Sequence, residues 1–344
     1  HPIRLTGQDT ARGTFSQRHL AFHDERSGEE WIPMQHLRDV QATFEVHNSP
    51  LSEVSTLGFE YGYSAADPQT FVIWEAQYGD FVNGAEVIVD QFVVSARAKW
   101  GQRSRLTLLL PHGYEGSGPE HSSARIERFL QLSAGGNMRV ANCSTAAQYF
   151  HLLRNQGLSS DPRPLVIFTP KSLLRLQESA ASLTELSEGG FHTVIDDPTT
   201  VDRPNDVTTL LLCSGRVYYD LVMHSMRPRA TDMAIARVEL LHPLPIDDIV
   251  RLVERYPKLE HVYWVQEEPA NMGAWTHVEE AIALQRPLHV HWDYIGRPRR
   301  ASPSEGYAGS HRLEQERIIT DALATSAALR EFALPTPAAH DGSE

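Results

Sequence analysis

Two segments of the sequence combine glycine with side chains that can donate or accept a proton. One is the hexapeptide 79–84 (GDFVNG), and the other is the run from His112 to His121, which holds three glycines, two histidines and two glutamates. Glycine lets such a backbone turn tightly, and histidine and carboxylate side chains suit general acid–base work. On spacing alone, however, a histidine in such a loop is more often a solvated surface residue.

The residue pattern gives little support for a metal site or a nucleotide-binding site. His112 and His121 lie nine positions apart with no third ligand at metal spacing, and Cys143 and Cys213 are the only cysteines, so we expect no zinc site. The sequence contains no GxxxxGK[ST] phosphate loop, no GxGxxG fingerprint and no GxSxG nucleophile elbow.

Two further segments place carboxylates near predicted element ends. At 48–53 (NSPLSE) the pattern predicts a helix start with Ser49 as N-cap and Pro50 at the first helical position. Glu53 then lies in the first turn or just past it, where the helix dipole favours a carboxylate. Glu267 and Glu268 are adjacent on a predicted extended segment, so their side chains point apart and suit an interface or a cap better than paired acid–base work.

The elements that must position these residues alternate between short apolar strands and helices. We expect strands at 71–74, 106–110, 138–141, 165–168, 209–213, 234–240, 261–265 and 288–291. We expect helices at 83–100, 145–156, 216–226, 246–255, 275–285 and 314–324, and one that turns Ile126, Phe129 and Leu130 inward. Ser122 or Ser123 is the expected cap of that helix, and Gly157 the expected end of the 145–156 helix.

This alternation predicts an α/β protein with two three-layer domains and mostly parallel sheets. The domains are expected at 1–197 and 207–333, joined by a polar, proline-containing linker at 198–206 and followed by a frayed tail at 334–344. Ligands of open α/β sheets gather at the carboxyl ends of the strands, which is where the glycine-containing segments and Glu53 fall.

Composition excludes several classes of protein. The 344 residues are 41% hydrophobic and 22% charged, and the formal net charge of −13 has the wrong sign for gripping nucleic acid backbones. No apolar run approaches the roughly 18 residues that a membrane helix needs. With two cysteines a reducing, cytoplasmic location is expected. The chain begins with His1-Pro2, so we also expect it to be part of a longer polypeptide.

A series of ordered motifs extends over the whole chain. They are 12–19 (RGTFSQRH), 59–63 (FEYGY), 73–81 (IWEAQYGDF), 109–116 (LLPHGYEG), 118–123 (GPEHSS), 170–175 (PKSLLR), 213–220 (CSGRVYYD), 266–269 (QEEP), 273–275 (GAW), 296–298 (GRP) and 301–303 (ASP). On these motifs the chain resembles the C-terminal part of the thiamin-diphosphate-dependent 2-oxoglutarate dehydrogenase component. Segments 5–9 (LTGQD) and 191–193 (FHT) are most similar to the actinobacterial type.

The resemblance implies a fold and a set of site residues. The first domain is expected to be a transketolase-like pyrimidine-binding domain and the second a transketolase C-terminal-like domain. Glu53 matches the glutamate that hydrogen-bonds N1′ of the cofactor's aminopyrimidine and so promotes deprotonation of the thiazolium C2. Phe81 matches the aromatic residue that stacks on that ring, His121 matches the histidine that contacts substrate and intermediate, and Gln8 matches a polar residue near the substrate.

The resemblance also implies a reaction and partners. The implied reaction is decarboxylation of 2-oxoglutarate on thiamin diphosphate, followed by succinyl transfer to the lipoyl domain of the succinyltransferase component of the tricarboxylic acid cycle. The GDG…N segment that binds Mg²⁺ and the diphosphate in this family is absent, since 79–81 (GDF) is a different motif. Those ligands are therefore expected upstream of this chain, and the family's active site forms between the two subunits of a homodimer.

Two alternatives remain open at the level of sequence. Alone, the chain could be a non-catalytic dimerisation or regulatory module, since some relatives bind effectors such as acetyl-CoA in this region. The same scaffold also supports carboligation onto glyoxylate, or decarboxylation to the semialdehyde. The sequence does not decide which acceptor follows decarboxylation.

Overall fold

The computed structural model describes residues 1–284 and 290–330. Its strands are β1 (Ile3–Gly7), β2 (Phe22–His23), β3 (Glu30–Trp31), β4 (Phe44–Asn48), β5 (Phe71–Glu75), β6 (Thr107–His112), β7 (Arg139–Asn142), β8 (Leu165–Pro170), β9 (Val194–Ile195), β10 (Thr209–Cys213), β11 (Met233–Val238), β12 (Leu240–His242), β13 (His261–Pro269) and β14 (His291–Arg297). The predicted strand residues 288 and 289, helix residue 285 and the tail 334–344 lie outside the described residues.

The α-helices lie mostly in the crossovers between strands. They are α1 (Glu53–Ala66), α2 (Glu86–Ile88), α3 (Ala96–Trp100), α4 (Ile126–Gln131), α5 (Ala146–Leu158), α6 (Leu183–Glu188), α7 (Val217–Val222), α8 (Ile246–Glu254), α9 (Trp275–Ala283), α10 (Ala308–Leu323) and α11 (Ala327–Arg330). No helix within the described ranges is both long and apolar enough to cross a membrane.

The first sheet has seven strands in the order β12-β7-β8-β6-β5-β1-β4. Neighbouring strands of this sheet are parallel, except for β12, which is antiparallel to β7. The parallel pairs arise because the connections between them cross over a face of the sheet. Strands β5 and β6 are buried along their whole length, as expected for a sheet covered on both faces. The carboxyl ends of β4, β1, β5, β6, β8 and β7 therefore meet at one edge.

The second sheet has the order β14-β13-β10-β11-β9, parallel except for β9. The expected α/β class with mostly parallel sheets is confirmed. One hydrophobic cluster contains Trp74 and Leu108 of the first sheet together with Leu210 and Trp264 of the second, so the two halves share core packing.

One strand of the second half pairs with the first sheet. β12 follows the second-sheet strand β11 by one residue, yet it pairs antiparallel with β7 at the edge of the first sheet. The expected single strand at 234–240 is therefore wrong, since the chain switches sheets at Glu239. This fully buried carboxylate accepts hydrogen bonds from the backbone N–H (2.8 Å) and the hydroxyl of Ser144, which fixes the point of the switch.

The segment predicted as a linker is packed against the second half. Thr200 is fully buried and its hydroxyl lies 2.8 Å from that of Tyr256. Immediately before it, the Asp197 carboxylate accepts hydrogen bonds from Arg227 (2.8 Å) and from the backbone N–H of Ile235 (2.9 Å). The division at 197 and 207 stays a prediction, and the structure adds that this connection is held in place by buried polar contacts.

Three predicted helix ends are wrong. Helix α1 begins at Glu53 after Ser52, not after Ser49, whose hydroxyl instead contacts Thr56. Helix α4 starts after Arg125 in the left-handed conformation, with no side-chain cap. Helix α5 continues through Gly157 to Leu158, because the Arg105 guanidinium donates to the carbonyls of residues 156, 157 and 159.

The predicted helix at 83–100 is interrupted. A 3₁₀ segment at Gly79–Ala85 leads into α2, a π-helical turn follows at Val89–Val93, and α3 completes the stretch. The Ser95 hydroxyl donates to the Asp90 carbonyl five residues earlier (2.9 Å), which satisfies the widened turn. Consecutive β-branched residues lower the helix propensity of this stretch. The extra residue of the π-helical turn leaves the helical spacing of the inward-facing apolar residues in place.

Candidate active site

The four residues that the resemblance implies all lie at the carboxyl edge of the first sheet. Gln8 directly follows β1, Glu53 opens α1 after β4, Phe81 lies in the 3₁₀ segment after β5, and His121 ends a 3₁₀ turn after β6. These strands are consecutive neighbours in the order β4-β1-β5-β6. The topology alone thus brings to one edge residues that lie up to 113 positions apart in sequence (121 minus 8).

Three aromatic rings meet at the centre of this edge. The ring of His121 lies edge-on to Tyr78, with centroids 4.5 Å apart, and to Phe81 at 5.8 Å. Tyr78 and Phe81 are themselves 5.7 Å apart, and Phe15 meets the other side of Tyr78 at 5.4 Å. The structure therefore brings Phe81 and His121 together and adds Tyr78, which contacts both.

Glu53 lies beside the segment that carries Phe81. It is the first residue of α1, partly buried, and its carboxylate accepts no hydrogen bond from a described residue. A Cβ placed on Gly84 would lie 3.6 Å from Glu53 Oε2, so the glycine keeps the space next to the carboxylate open. An available acceptor beside the segment that carries an aromatic ring suits a flat heterocycle with a hydrogen-bond donor on its edge.

Gln8 is placed at this edge without being fixed by it. Its side chain is partly buried and makes no hydrogen bond to any residue within the described ranges. The preceding Gly7 is required by packing, since a Cβ there would lie 2.3 Å from the Glu75 carbonyl oxygen.

The loop that carries His121 is fastened from two sides. Lys171, the first residue after β8, is buried and donates to the carbonyls of Gly113 (3.1 Å) and His121 (2.5 Å). Burial lowers the pKa of the Lys171 ammonium, although Glu115 and Asp80 oppose that shift. On the other side, Asp80 Oδ2 accepts from the backbone N–H groups of Ser122 (3.1 Å) and Ser123 (3.0 Å).

His112 is a structural residue, and its expected solvated position is wrong. It is buried at the end of β6, where Nε2 lies 2.7 Å from Glu268 Oε1 and Nδ1 accepts from the Ala124 backbone N–H at 3.1 Å. Because Nδ1 accepts, the proton of the neutral ring sits on Nε2 and is donated to the carboxylate. Sequence spacing missed this because the partner lies 156 residues away.

Glu267 and Glu268 point apart, as expected for adjacent residues on a strand. Glu268 joins the second half to His112 in the first, so the interface role is confirmed. Burial alone would raise the pKa of Glu268, but the hydrogen bond from His112 holds it below its usual range. Burial raises the pKa of Glu267, and the nearby carboxylates of Asp220 and Glu268 add to that shift while Arg216 opposes it.

The described residues fit only part of a thiamin diphosphate site. Glu53 and Phe81 match the donor edge and the flat face of an aminopyrimidine. No group of three or more His, Cys, Asp or Glu within the described ranges could hold a metal ion. Within the described ranges, therefore, no cluster of such side chains can be assigned to the Mg²⁺ that holds a diphosphate.

Sequence reasoning assigned no role to Tyr78 or Lys171, and it singled out the segment of Asp80 without assigning that residue a role. Asp80 and Tyr78 belong to the same strand-end segment as Phe81, and Lys171 is the first residue after a buried strand. Their position at carboxyl ends was a usable signal. Their partners could not be found from such a signal, since Lys171, for example, bonds backbone groups of a loop about 50 residues away.

Two family models match adjoining parts of the chain. The transketolase pyrimidine-binding domain matches residues 1–177, and the 2-oxoglutarate dehydrogenase C-terminal domain matches residues 180–323. All four residues implied by the resemblance lie in the first match.

Curated relatives match nearly the whole chain. It is 52% identical over 326 residues to the 2-oxoglutarate dehydrogenase E1 component of Geobacillus sp. (strain WCH70), covering 94% of this chain and 34% of the relative. It is 52% identical over 327 residues to that of Bacillus subtilis (strain 168), covering 94% and 35%, and 48% identical over 329 residues to that of Cupriavidus necator, covering 94% and 34%. The chain thus spans about a third of their length. The closer likeness to the actinobacterial type stays a prediction.

Proposed function

Because the chain belongs to the transketolase pyrimidine-binding family and continues into a 2-oxoglutarate dehydrogenase C-terminal domain, we propose that it supplies the pyrimidine half of the active site of a 2-oxoglutarate dehydrogenase E1 component. The observation that carries the proposal is the convergence of Glu53, Phe81 and His121 at the carboxyl edge of one parallel sheet. The relatives at about 50% identity have the same named activity.

Glu53 and Phe81 would hold the aminopyrimidine ring of thiamin diphosphate. The Glu53 carboxylate, with no hydrogen bond from a described residue, would accept one from the protonated N1′, and the open space at Gly84 gives access to it. Phe81 offers a ring against one face. When bound, thiamin diphosphate supplies the electron sink that decarboxylation of a 2-oxo acid requires.

His121 would hold a proton close to the 2-oxo group of the substrate. Its ring is positioned by Tyr78 and Phe81 and its backbone by Lys171, so the imidazole is presented by a supported loop and not by a free one. A histidine can act as proton donor or as electrostatic stabiliser at neutral pH. Gln8 would add a polar contact to the substrate.

The wider assignment follows from the family. The substrate would be 2-oxoglutarate, the product a succinyl group transferred to the lipoyl domain of the succinyltransferase component in the tricarboxylic acid cycle, and the enzyme a cytoplasmic homodimer. Mg²⁺ and the diphosphate would be bound by residues outside those described here.

Glu53→Gln in the full-length enzyme tests the proposal. A neutral amide cannot balance the positive charge on N1′ as a carboxylate does, so activation of the cofactor should fail. The rate of 2-oxoglutarate-dependent ferricyanide reduction should then fall by about 10²–10⁴-fold. The thermal midpoint should stay within about 2 °C, because Glu53 is partly exposed and makes no side-chain hydrogen bond to a described residue.

Glu29→Gln is the matched control, because Glu29 is exposed on the short hairpin of β2 and β3, outside the carboxyl edge of the sheet. Its activity should equal that of the parent. A Glu53→Gln enzyme that still reduces ferricyanide at the parental rate would remove the cofactor assignment.

A further inference from the structure

A second pocket lies at the carboxyl ends of β5, β6, β8 and β7, next to the candidate active site but lined by other residues. Its volume is about 460 Å³, within the range of small-molecule sites. Neither Glu53, Phe81, His121 nor Gln8 lines it.

The pocket gathers signature segments that the proposed function leaves without a role. Phe15, Gln17 and Arg18 come from segment 12–19, and Leu173 and Leu174 come from segment 170–175. These segments lie more than 150 positions apart in sequence, and the Arg175 guanidinium ties them together by donating to the Phe15 carbonyl (2.8 Å). The sheet topology thus assembles two motif segments around one cavity.

The charged groups of the pocket neutralise each other. Arg18 forms a two-pronged ion pair with Glu75, at 2.6 and 2.7 Å, and also donates to the Thr10 carbonyl (2.7 Å). Both side chains are largely buried. Since the guanidinium already has a carboxylate, the pocket offers no unpaired cation to an anionic ligand.

The Tyr149 hydroxyl is one of the polar groups of the wall that remain available, together with the Thr169 hydroxyl and the Gln17 amide nitrogen. The hydroxyl of Tyr149 makes no hydrogen bond to a described residue. Burial raises the pKa of Tyr149 well above its usual range, and the Glu75 carboxylate adds to that shift, so the hydroxyl keeps its proton and can donate it.

The rest of the wall is mainly apolar. Pro111, Cys143 and Phe168 form its inner part, and all three are buried. Ala146 and Leu174 are exposed and mark where the pocket opens to solvent. An apolar lining with a few available polar groups is the usual composition of a site for a small organic molecule.

We propose that this pocket binds an uncharged, largely aliphatic molecule whose single hydrogen-bond acceptor is met by the Tyr149 hydroxyl. Its chemistry differs from that of a dianionic 2-oxo acid, so it is a separate site from the one that Glu53 and His121 define. Phe15 touches both places, because its ring lines the pocket and lies edge-on to Tyr78, which contacts His121.

Octanamide and octanoate form the test pair, because they share a chain and differ in charge. Binding to the full-length enzyme is measured by displacement of the neutral fluorophore N-phenyl-1-naphthylamine. Octanamide should bind at least about 10-fold more tightly than octanoate, since a buried carboxylate would find no free cation. Equal or tighter binding of octanoate would overturn the proposal, as would the absence of octanamide binding.

Variants place the ligand in this pocket. Ala146→Phe fills the mouth and should abolish fluorophore and octanamide binding, whereas Ala98→Phe, at an exposed helical position of α3, should leave both unchanged. Tyr149→Phe removes only the hydroxyl and should weaken octanamide several-fold without weakening the fluorophore. Octanamide binding that is the same in Ala146→Phe and the parent would show that it binds elsewhere. None of these readouts depends on decarboxylation.

Discussion

At the scale of single residues, Lys171 shows how the site is supported. A buried lysine that bonds two backbone carbonyls is an expensive group to bury, and here it connects the end of β8 to both ends of the loop 113–121. The side chains that touch ligand would therefore depend on a residue that touches only backbone. We expect its loss to be felt first at the His121 ring.

Lys171→Met is expected to displace that ring. The substitution leaves the carbonyls of Gly113 and His121 without their donor, at a cost of about 1–3 kcal/mol, and loosens the edge contact of His121 with Tyr78. The measurement is the His121 imidazole signal in a ¹³C-histidine-labelled chain, assigned with His121→Gln.

Lys258→Met, at an exposed position, should leave the His121 signal unchanged. If Lys171→Met lowers the thermal midpoint while the His121 signal stays in place, the lysine supports the fold but does not position the histidine.

Some features of single residues could be predicted from the sequence and others could not. The position of Glu53 at a helix start could be predicted from local pattern, because an N-terminal turn favours a carboxylate whatever it does later. The partners of His112 and Lys171 could not, since they are fixed by contacts across 156 and 50 positions. Local pattern gives such histidines and lysines a surface position by default.

At the scale of elements, periodicity predicted most strands and helices but not their ends. The bounds of β10 agree with the prediction, because a short continuous apolar run is readily buried as a strand in a sheet that is covered on both faces. Helix ends depended instead on groups brought in from elsewhere, such as the Arg105 guanidinium at the end of α5. The switch from β11 to β12 was invisible because both strands are apolar and only Glu239 separates them.

Glu239→Ala should weaken that switch. It leaves the Ser144 backbone N–H and hydroxyl without their acceptor at a buried place, so the free energy of unfolding should fall by about 2–4 kcal/mol. The measurement is the urea midpoint followed by far-UV circular dichroism. Glu254→Ala, at the exposed end of α8, should change the free energy of unfolding by less than about 0.5 kcal/mol, and an equal loss in both variants would contradict the account.

At the scale of the whole molecule, the apolar packing that the two halves share is accompanied by a buried polar contact between His112 and Glu268. Adjacent carboxylates on β13 behave oppositely there: the pKa of Glu267 is raised by burial and neighbouring carboxylates, whereas the hydrogen bond from His112 holds the pKa of Glu268 low despite burial. A raised carboxyl pKa means that the folded chain holds a proton that the unfolded chain has released. Stability then falls as pH rises from the unfolded pKa through the folded one.

Glu267→Gln should therefore become more stabilising, relative to the parent, between pH 5 and pH 8, by about 1–3 kcal/mol. Glu268→Gln should show the opposite sign: the charged form is favoured in the fold, so the substitution is destabilising throughout this range and its cost fades only below the unfolded pKa. Thermal midpoints of both variants at several pH values provide the measurement. Parallel curves for Glu267→Gln and the parent would contradict the assignment.

The place of β12 at the edge of the first sheet limits how this protein could have been assembled from separate domains. The two family models meet between residues 177 and 180, yet β12 of the second region completes the sheet of the first. A gene fusion or a recombination at that junction would leave β7 with an open, unpaired edge, which is a template for aggregation. The two regions are therefore expected to be inherited as a pair, and grafting either one onto a foreign partner should require that β12 travel with the first.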